Sequence, residues 1–199
     1  MEFRFDDLKK IADEPAARML AMGNAKLRSQ PALPASASVP QMLQALQEDG
    51  EFLDMLHMLA VALPPREAVW WSCLAARDLV GHDSHQPPVP LAAAERWVFK
   101  PDAENREAAR QAMELADIDD DTVYCAMAAA YAEGSLGEGE LANAGAPHNA
   151  VSASVLCMNM KSLADTADTF EHHLEMLIAR ALDIGRGGNG KRHDKQEGV

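Results

Sequence analysis

The stretch from Glu51 to Val80 reads EFLDMLHMLAVALPPREAVWWSCLAARDLV and holds the densest apolar surface of the chain. Its first half places apolar residues at i, i+3, i+4 and i+7, which is typical of a helix with one core-facing stripe. Pro64 cannot continue that helix, whereas Pro65 suits the first turn of a following one. The second helix is apolar around most of its circumference, which indicates a central position. The sequence therefore predicts two helices folded against each other, a hairpin at 51–80, with everything else packed around it.

The overall composition favours an all-α fold. Hydrophobic residues make up 48% of the 199 residues and aromatic residues only 5%, so Ala, Leu and Met carry the apolar content. These are strong helix formers, and a chain of this length supports one sizeable core. We expect a single irregular bundle of about seven to eight helices around the hairpin, with a short solenoid of stacked helix pairs as the minor alternative.

Composition also divides the chain into four segments. Leu8 and Ile11 are expected on a short helix capped by Asp6 or Asp7. Three prolines near residue 35 forbid a regular helix there, and the last residues are rich in Gly and charge, with nothing to bury. The predicted segments are an amphipathic helical segment (1–27), a Pro/Ala/Ser-rich linker or surface strap (28–40), an all-helical domain (41–184) and a disordered tail (185–199).

The charge balance restricts the class of partner. The chain has 18 basic and 31 acidic residues, a net charge of −13. Nucleic acids and anionic membranes are bound mainly by Lys and Arg, so neither is an expected partner. The N-terminus, MEFRFDDLKK, carries charges where a signal peptide needs apolar residues. Three widely spaced cysteines without a CxxC pair fit a reducing compartment. We expect an acidic, cytoplasmic protein.

Two histidine clusters are candidate metal sites. On the last helix, His172 and His173 lie beside Glu171 and Glu175, and His172 and Glu175 are one helical turn apart. Carboxylate-bridged sites in helical bundles need a matching Glu-x-x-His set on a facing helix. No other helix supplies one, so a solvated helix face is the favoured interpretation.

The second cluster consists of His82, Asp83 and His85, in the loop GHDSHQPPVP. Divalent metals accept these ligand types. Three ligands from one Pro-flanked loop nevertheless make a weak site without a fourth from elsewhere, and a polar connector is favoured.

Catalytic motifs are absent from the sequence. There is no GxSxG elbow and no cysteine with a neighbouring His, and neither GxxxxGK[ST] nor GxGxxG occurs in a strand-to-helix setting. We therefore predict a protein that is not an enzyme, with no catalytic residue, no metal ligand and no cofactor.

Arg66, Glu67, Trp70 and Trp71 are candidate structural or interaction anchors. Consecutive helical residues point about 100° apart, so one tryptophan can be core while the other meets a neighbouring helix or a partner. Arg66 stands one turn before Trp70 and is placed to stack on it as a cation–π pair. A core anchor is favoured over a binding hot spot, although Trp and Arg are enriched at both.

The last predicted helix, from Leu163 to about Asp183, carries a candidate docking seam. Its apolar residues are spaced 4, 3, 4, 3 and 4 apart, a heptad pattern. Phe170, Leu174 and Leu177 form the centre of this seam. The full set is Leu163, Ala167, Phe170, Leu174, Leu177 and Ala181. Self-association through the seam into a homo-oligomer is one hypothesis for the chain.

Two blocks of sequence resemble a known family. They are Ala62 to Trp71, reading ALPPREAVWW and followed by Cys73 to Arg77, and the helix start from Pro147 to Val151. Over residues 40–180 the chain resembles an uncharacterised bacterial family of small all-helical proteins that often accompany type VI secretion genes. The resemblance implies no catalytic residue. It implies an accessory role in which the partner is another protein, a secretion effector or a component of the machine.

The leading hypothesis is thus a non-enzymatic cytoplasmic adaptor whose helical surface binds such a partner. The alternative is a metal- or ligand-binding helical enzyme that uses the His172/His173 or His82/His85 cluster.

Overall fold

The computed structural model describes residues 1–82, 84–137, 139, 143–166 and 169–191. Within these ranges the regular elements are nine α-helices, and β-pairing is limited to two isolated bridges. The predicted all-α class is confirmed. The helices are α1 (Ala16–Met22), α2 (Val39–Glu48), α3 (Phe52–Ala62), α4 (Pro65–Val80), α5 (Val89–Phe99), α6 (Ala103–Glu114), α7 (Val123–Tyr131), α8 (Ala150–Asp165) and α9 (Phe170–Arg186).

Helix α4 is the centre of the bundle. It packs against α5, α7, α8 and α9, and its inner residues Trp71, Cys73 and Ala75 are completely buried. One hydrophobic cluster runs from Phe5 through α4 to Ile184. The helix that is apolar nearly all round is thus the one surrounded by the others, as expected.

The corner between α3 and α4 is more open than the predicted hairpin. Leu63 and Pro64 are both extended, with ψ of 139° and 152°, and they turn the chain between the helices. The two helices make little direct contact with each other. At this corner α3 and α4 diverge, and both pack against the same two helices, α8 and α9.

The N-terminal segment differs from its prediction, because Leu8 and Ile11 lie outside any helix. Asp7 adopts a left-handed conformation with φ of 58°, and the main-chain N–H of Lys10 donates to the carbonyl of Gly185 at 2.8 Å. The Leu8 and Ile11 side chains are buried against α9, where they occupy the space next to Gly185 that a side chain would need. Burial against α9 thus replaces the short helix, and helical structure begins only at Ala16.

Residues 28–40 form a fastened strap. The main-chain N–H groups of Arg28 and Ser29 donate to the Asp54 carboxylate at 3.1 and 2.7 Å, and Ser29 Oγ donates to it at 2.6 Å. Asp54 is buried, and the three donors satisfy its charge. Ser38 forms a capping box with Gln41 and so starts helix α2 at Val39.

The predicted last helix is two helices. The α8 helix continues past Leu163 to Asp165, and Thr166 Oγ1 donates to the carbonyls of Ser162 and Leu163 at 3.2 and 3.1 Å. This side-chain bonding competes with further helix at the C-terminal end. The heptad spacing therefore spans a break between α8 and α9, and its member Ala167 lies outside the described residues.

Helix α9 extends slightly beyond the predicted tail boundary at 185. That helix continues to Arg186, and residues 187–191 fold back over the bundle. The remainder of the predicted tail lies outside the described residues. Among the helices described, none is long and apolar enough to cross a bilayer.

Candidate functional site

The two consecutive tryptophans of α4 lie in different environments. Trp71 is completely buried, and its indole N–H donates to the carbonyl of Leu177 at 3.1 Å. Trp70 is half-buried and lies at the surface. Trp71 is thus a core anchor that joins α4 to α9, and Trp70 is available for surface contacts.

Trp70 belongs to a surface that we call the Trp70 face, defined by Arg66, Glu67, Trp70, Val98 and Phe99. The rings of Trp70 and Phe99 lie 6.0 Å apart at an interplanar angle of 60°, a tilted geometry that aromatic pairs favour. Phe99 is 73% exposed. The face therefore presents a large apolar side chain to solvent.

Arg66 and Glu67 hold the edges of this face. Arg66 Nε donates to the carbonyl of Val98 at 2.7 Å. That carbonyl belongs to the last turn of α5, where carbonyls lack partners within the helix and a cation is favourable. Glu67 pairs with Lys10 of the N-terminal segment at 3.0 Å. Arg66 therefore positions α5 against α4 and does not make the predicted cation–π pair with Trp70.

The cation over the Trp70 ring comes from the other end of the chain. Lys191 Nζ lies 5.5 Å from the ring centroid, and the Trp70 indole N–H donates to the carbonyl of Asn189 at 2.7 Å. The main-chain N–H of Gly190 donates to Asp183 Oδ2 at 2.8 Å. Residues 187–191, which we call the C-terminal clasp, therefore cover one side of the Trp70 face.

The predicted docking seam is mostly core. Leu174 and Leu177 are buried within the chain, as are Leu163 and Ala181. Phe170, at the start of α9, is 39% exposed. The seam residues pack against their own bundle, so the proposed docking or homo-oligomer contact through Leu174 and Leu177 is replaced by an intramolecular one.

His172 and His173 lie in different environments on α9, since His172 is exposed and His173 is buried. His172 lines a surface groove with Glu175, whereas His173 is buried and shares a hydrogen bond of 2.7 Å with Ser162 Oγ. Burial lowers the pKa of His173; Asp78 opposes that shift, and Arg180 and His172 add to it. The structure therefore does not bring the two histidines together as ligands of one ion.

The two histidines of the loop cluster line one groove together with Arg77 and Glu95. His82 Nε2 lies 2.7 Å from Asp78 Oδ1. Asp83 lies outside the described residues. Throughout the part of the chain that the structure describes, no three His, Cys, Asp or Glu side chains are arranged to hold a metal ion.

A buried polar cluster centred on Asp78 was not predicted from the sequence. Both Asp78 carboxylate oxygens accept hydrogen bonds from the Arg180 guanidinium, one of them from Nη2 at 3.0 Å. The two side chains are only 10% and 8% exposed. The partners are 102 residues apart, so no local spacing signals the pair. It links the end of α4 to α9.

The cluster contains Ser, His and Asp but lacks the geometry of a catalytic triad. His173 Nε2 lies 2.7 Å from Ser162 Oγ and 3.9 Å from Asp78 Oδ2. In a triad the serine and the carboxylate contact different ring nitrogens. Ser162 is also completely buried, so its oxygen is closed to a substrate. The arrangement is a structural fastening.

The cysteines are free thiols of two kinds. Cys73 and Cys125 are buried and in contact across α4 and α7, and burial raises the pKa of the Cys73 thiol. Cys157, on α8, is exposed. A buried, protonated thiol behaves as a small hydrophobic group.

Sequence reasoning found Arg66, Glu67 and Trp70 but missed Phe99 and the clasp. Phe99 is the last residue of α5 before Lys100 and Pro101, a terminal position whose exposure helical periodicity does not decide. The clasp was assigned to a disordered tail because its composition, GGNGK, has no apolar residue to bury.

Comparison with known families is consistent with the resemblance at a coarse level. Residues 42–185 match DUF6931, a family of unknown function. That match spans α3 to α8 and most of α9, and it includes the Trp70 face but not the clasp. No curated protein and no solved structure matches the chain significantly.

Proposed function

This chain belongs to DUF6931, a family of unknown function, and we propose that it is a non-enzymatic cytoplasmic adaptor. It binds another protein through the Trp70 face. The partner class that we propose is an effector or a machine component of a bacterial type VI secretion system, on the strength of the sequence resemblance in the ALPPREAVWW block.

The observation that carries the proposal is the exposure of Phe99 beside Trp70. A side chain that is 73% exposed and already packed against a neighbouring ring loses little conformational freedom when a partner covers it. Aromatic residues and Arg dominate the energetics of protein interfaces, especially where the apolar centre has a charged rim. Here Arg66, Glu67 and Lys10 supply that rim.

The face is also pre-organised. Arg66 fixes the end of α5 through Val98, and Trp71 fixes α4 from the inside through Leu177. Two well-supported helices therefore present Trp70 and Phe99 in one geometry. Rigid presentation reduces the entropy cost of association.

The test is affinity capture from a native host with three versions of the chain. Wild type and Leu115→Ser, which alters another apolar residue that is 85% exposed at a helix end, should recover the same secretion component by mass spectrometry. Phe99→Ser should reduce its recovery at least about tenfold, as expected for a hot spot worth about 1.4 kcal/mol or more.

Failure to recover a secretion component with wild type would contradict the proposed partner class. Equal recovery with Phe99→Ser and Leu115→Ser would contradict the proposed face.

A further inference from the structure

The Trp70 face is occupied by a segment of its own chain, and the contacts define what it recognises. Two of them are made to main-chain atoms of the C-terminal clasp. Trp70 donates to the carbonyl of Asn189 at 2.7 Å, and Asp183 accepts from the N–H of Gly190 at 2.8 Å. Any peptide carries such a carbonyl and such an N–H, because both belong to the backbone.

The site selects against side chains at one position of the clasp. A Cβ added to Gly190 would lie 2.8 Å from Leu74 Cδ1 and 2.9 Å from Ile184 Cδ1, and its φ is +67°. Both the space and the left-handed backbone therefore favour glycine. A Cβ at Gly188 would clash with the Asp183 carboxylate, which would have to move away from the Gly190 N–H that it accepts from.

The position after Gly190 favours a cation. Lys191 lies over the Trp70 ring and lines a groove with Asp183. The other two carboxylates that it borders, Glu67 and Glu95, are already paired with Lys10 and Arg77. An electron-rich ring face and nearby negative charge both attract a basic side chain. The net charge of −13 strengthens the same preference.

We infer that the Trp70 face is a binding site for a peptide with a glycine in the left-handed conformation followed by a basic residue, and that the C-terminal clasp is its intramolecular occupant. A partner segment of this type competes with the clasp. The matched family region ends at residue 185, so the receptor surface lies within the family region and the occupant lies outside it. The partner's identity rests on the proposed function, whereas the recognition chemistry does not.

The first experiment measures displacement of the clasp in the full chain. Gly190→Val should release it, whereas Gly145→Val is the matched control, since a Cβ at Gly145 meets nothing within 4 Å. The indole N–H signal of Trp70, identified by its loss in Trp70→Phe, should exchange with solvent faster in Gly190→Val than in wild type. Gly188→Ala is a second release variant in case Gly190→Val fails to fold.

The second experiment measures binding in trans with a fluorescent peptide of residues 186–195. The occupied wild-type face lowers the apparent affinity by the fraction of molecules that are open. Gly190→Val should therefore bind the peptide at least about tenfold more tightly than wild type if the clasp is closed in about nine molecules out of ten. A peptide with its own Gly190→Val change should bind neither protein.

Three results would overturn the inference. They are unchanged indole exchange in both release variants, release without peptide binding, and equal binding of the glycine and valine peptides. A wild-type dimer by light scattering that becomes monomeric in Gly190→Val would assign the occupant to a second copy. Peptide binding without capture of a secretion component would support the peptide specificity and reject only the proposed partner class. Capture of a secretion component without peptide binding would support the partner class and reject the peptide specificity.

Discussion

The indole N–H of Trp70 donates to the main-chain carbonyl of Asn189 across 119 residues of sequence. Its neighbour Trp71 makes the equivalent bond to Leu177, 106 residues away. Two consecutive residues of α4 thus bind the C-terminal region at two depths, one in the core and one at the surface. The outer contact is the one that a partner can replace without disturbing the bundle.

The inner tryptophan should dominate stability. Trp71→Ala removes a completely buried ring and should lower the free energy of unfolding by about 3–5 kcal/mol, because it leaves a cavity in a close-packed core. Trp70→Ala, at a half-buried site, should cost about 1 kcal/mol. Urea denaturation followed by circular dichroism measures both, and equal losses would contradict the assignment.

The pair of Asp78 and Arg180 should behave as a coupled buried unit. Arg180→Met leaves the Asp78 charge without its partner and should cost about 3–5 kcal/mol of unfolding free energy. The double variant Asp78→Leu with Arg180→Met should cost less than the sum of the single changes, since it leaves no unpaired charge. Arg18→Met breaks an exposed pair with Glu14 and serves as the control, with a loss below about 0.5 kcal/mol. Additive single losses would contradict the coupling.

Asp54 should stabilise the strap in a pH-dependent way. Burial raises the pKa of Asp54, but the hydrogen bonds from Ser29 and Arg28 outweigh it and hold the pKa below its usual value. Because the folded-state pKa is depressed, this stabilisation is complete above the unfolded pKa of about 4 and is lost as pH falls through the folded value.

Asp54→Asn should therefore lower stability by about 1.5–3 kcal/mol at pH 7, as for a bond to a charged group. The deficit relative to wild type should shrink below about pH 4. Denaturation at pH 7 and pH 3 tests this, and a deficit that is independent of pH would contradict it.

His173 should limit stability in mild acid. Burial lowers its pKa, Asp78 opposes that shift, and Arg180 and His172 reinforce it. The unfolded chain then binds the proton more readily, so stability is unaffected above the unfolded pKa of about 6.5 and declines as pH falls below it.

His173→Gln should flatten this decline between pH 7 and pH 5 in a series of thermal melts. His57→Gln is the comparison, because burial also lowers the pKa of His57. Each histidine should contribute separately to the decrease in melting temperature with falling pH. A slope unchanged by His173→Gln would contradict the prediction.

The metal hypothesis predicts stoichiometric metal in the purified protein, and we expect none. Elemental analysis of wild type decides this directly. Metal at one equivalent that is lost in His172→Ala, but retained in the exposed-site control His148→Ala, would instead favour the alternative of a metal-dependent helical enzyme.

Short-range patterns in the sequence determined the helical class, the turn at Pro64 and Pro65, and the central position of α4. These features depend on helical periodicity and on proline geometry, which act over a few residues. Arg66, Glu67 and Trp70 were identifiable for the same reason, as neighbours on one helix, whereas Val98 and Phe99 of the same face come from α5.

Only the tertiary structure decided what those residues contact. Leu8 is buried beside Gly185 and is not helical as predicted. The heptad seam lies in the core, and its spacing crosses the end of α8 at Thr166. Asp78 pairs with Arg180, which is 102 residues away. Residues 187–191 have no apolar side chain to bury, which predicts disorder, yet they are held by hydrogen bonds to their main-chain groups and by the absence of a side chain at Gly190. Backbone groups are the same in every sequence, so their partners emerge only when distant segments meet.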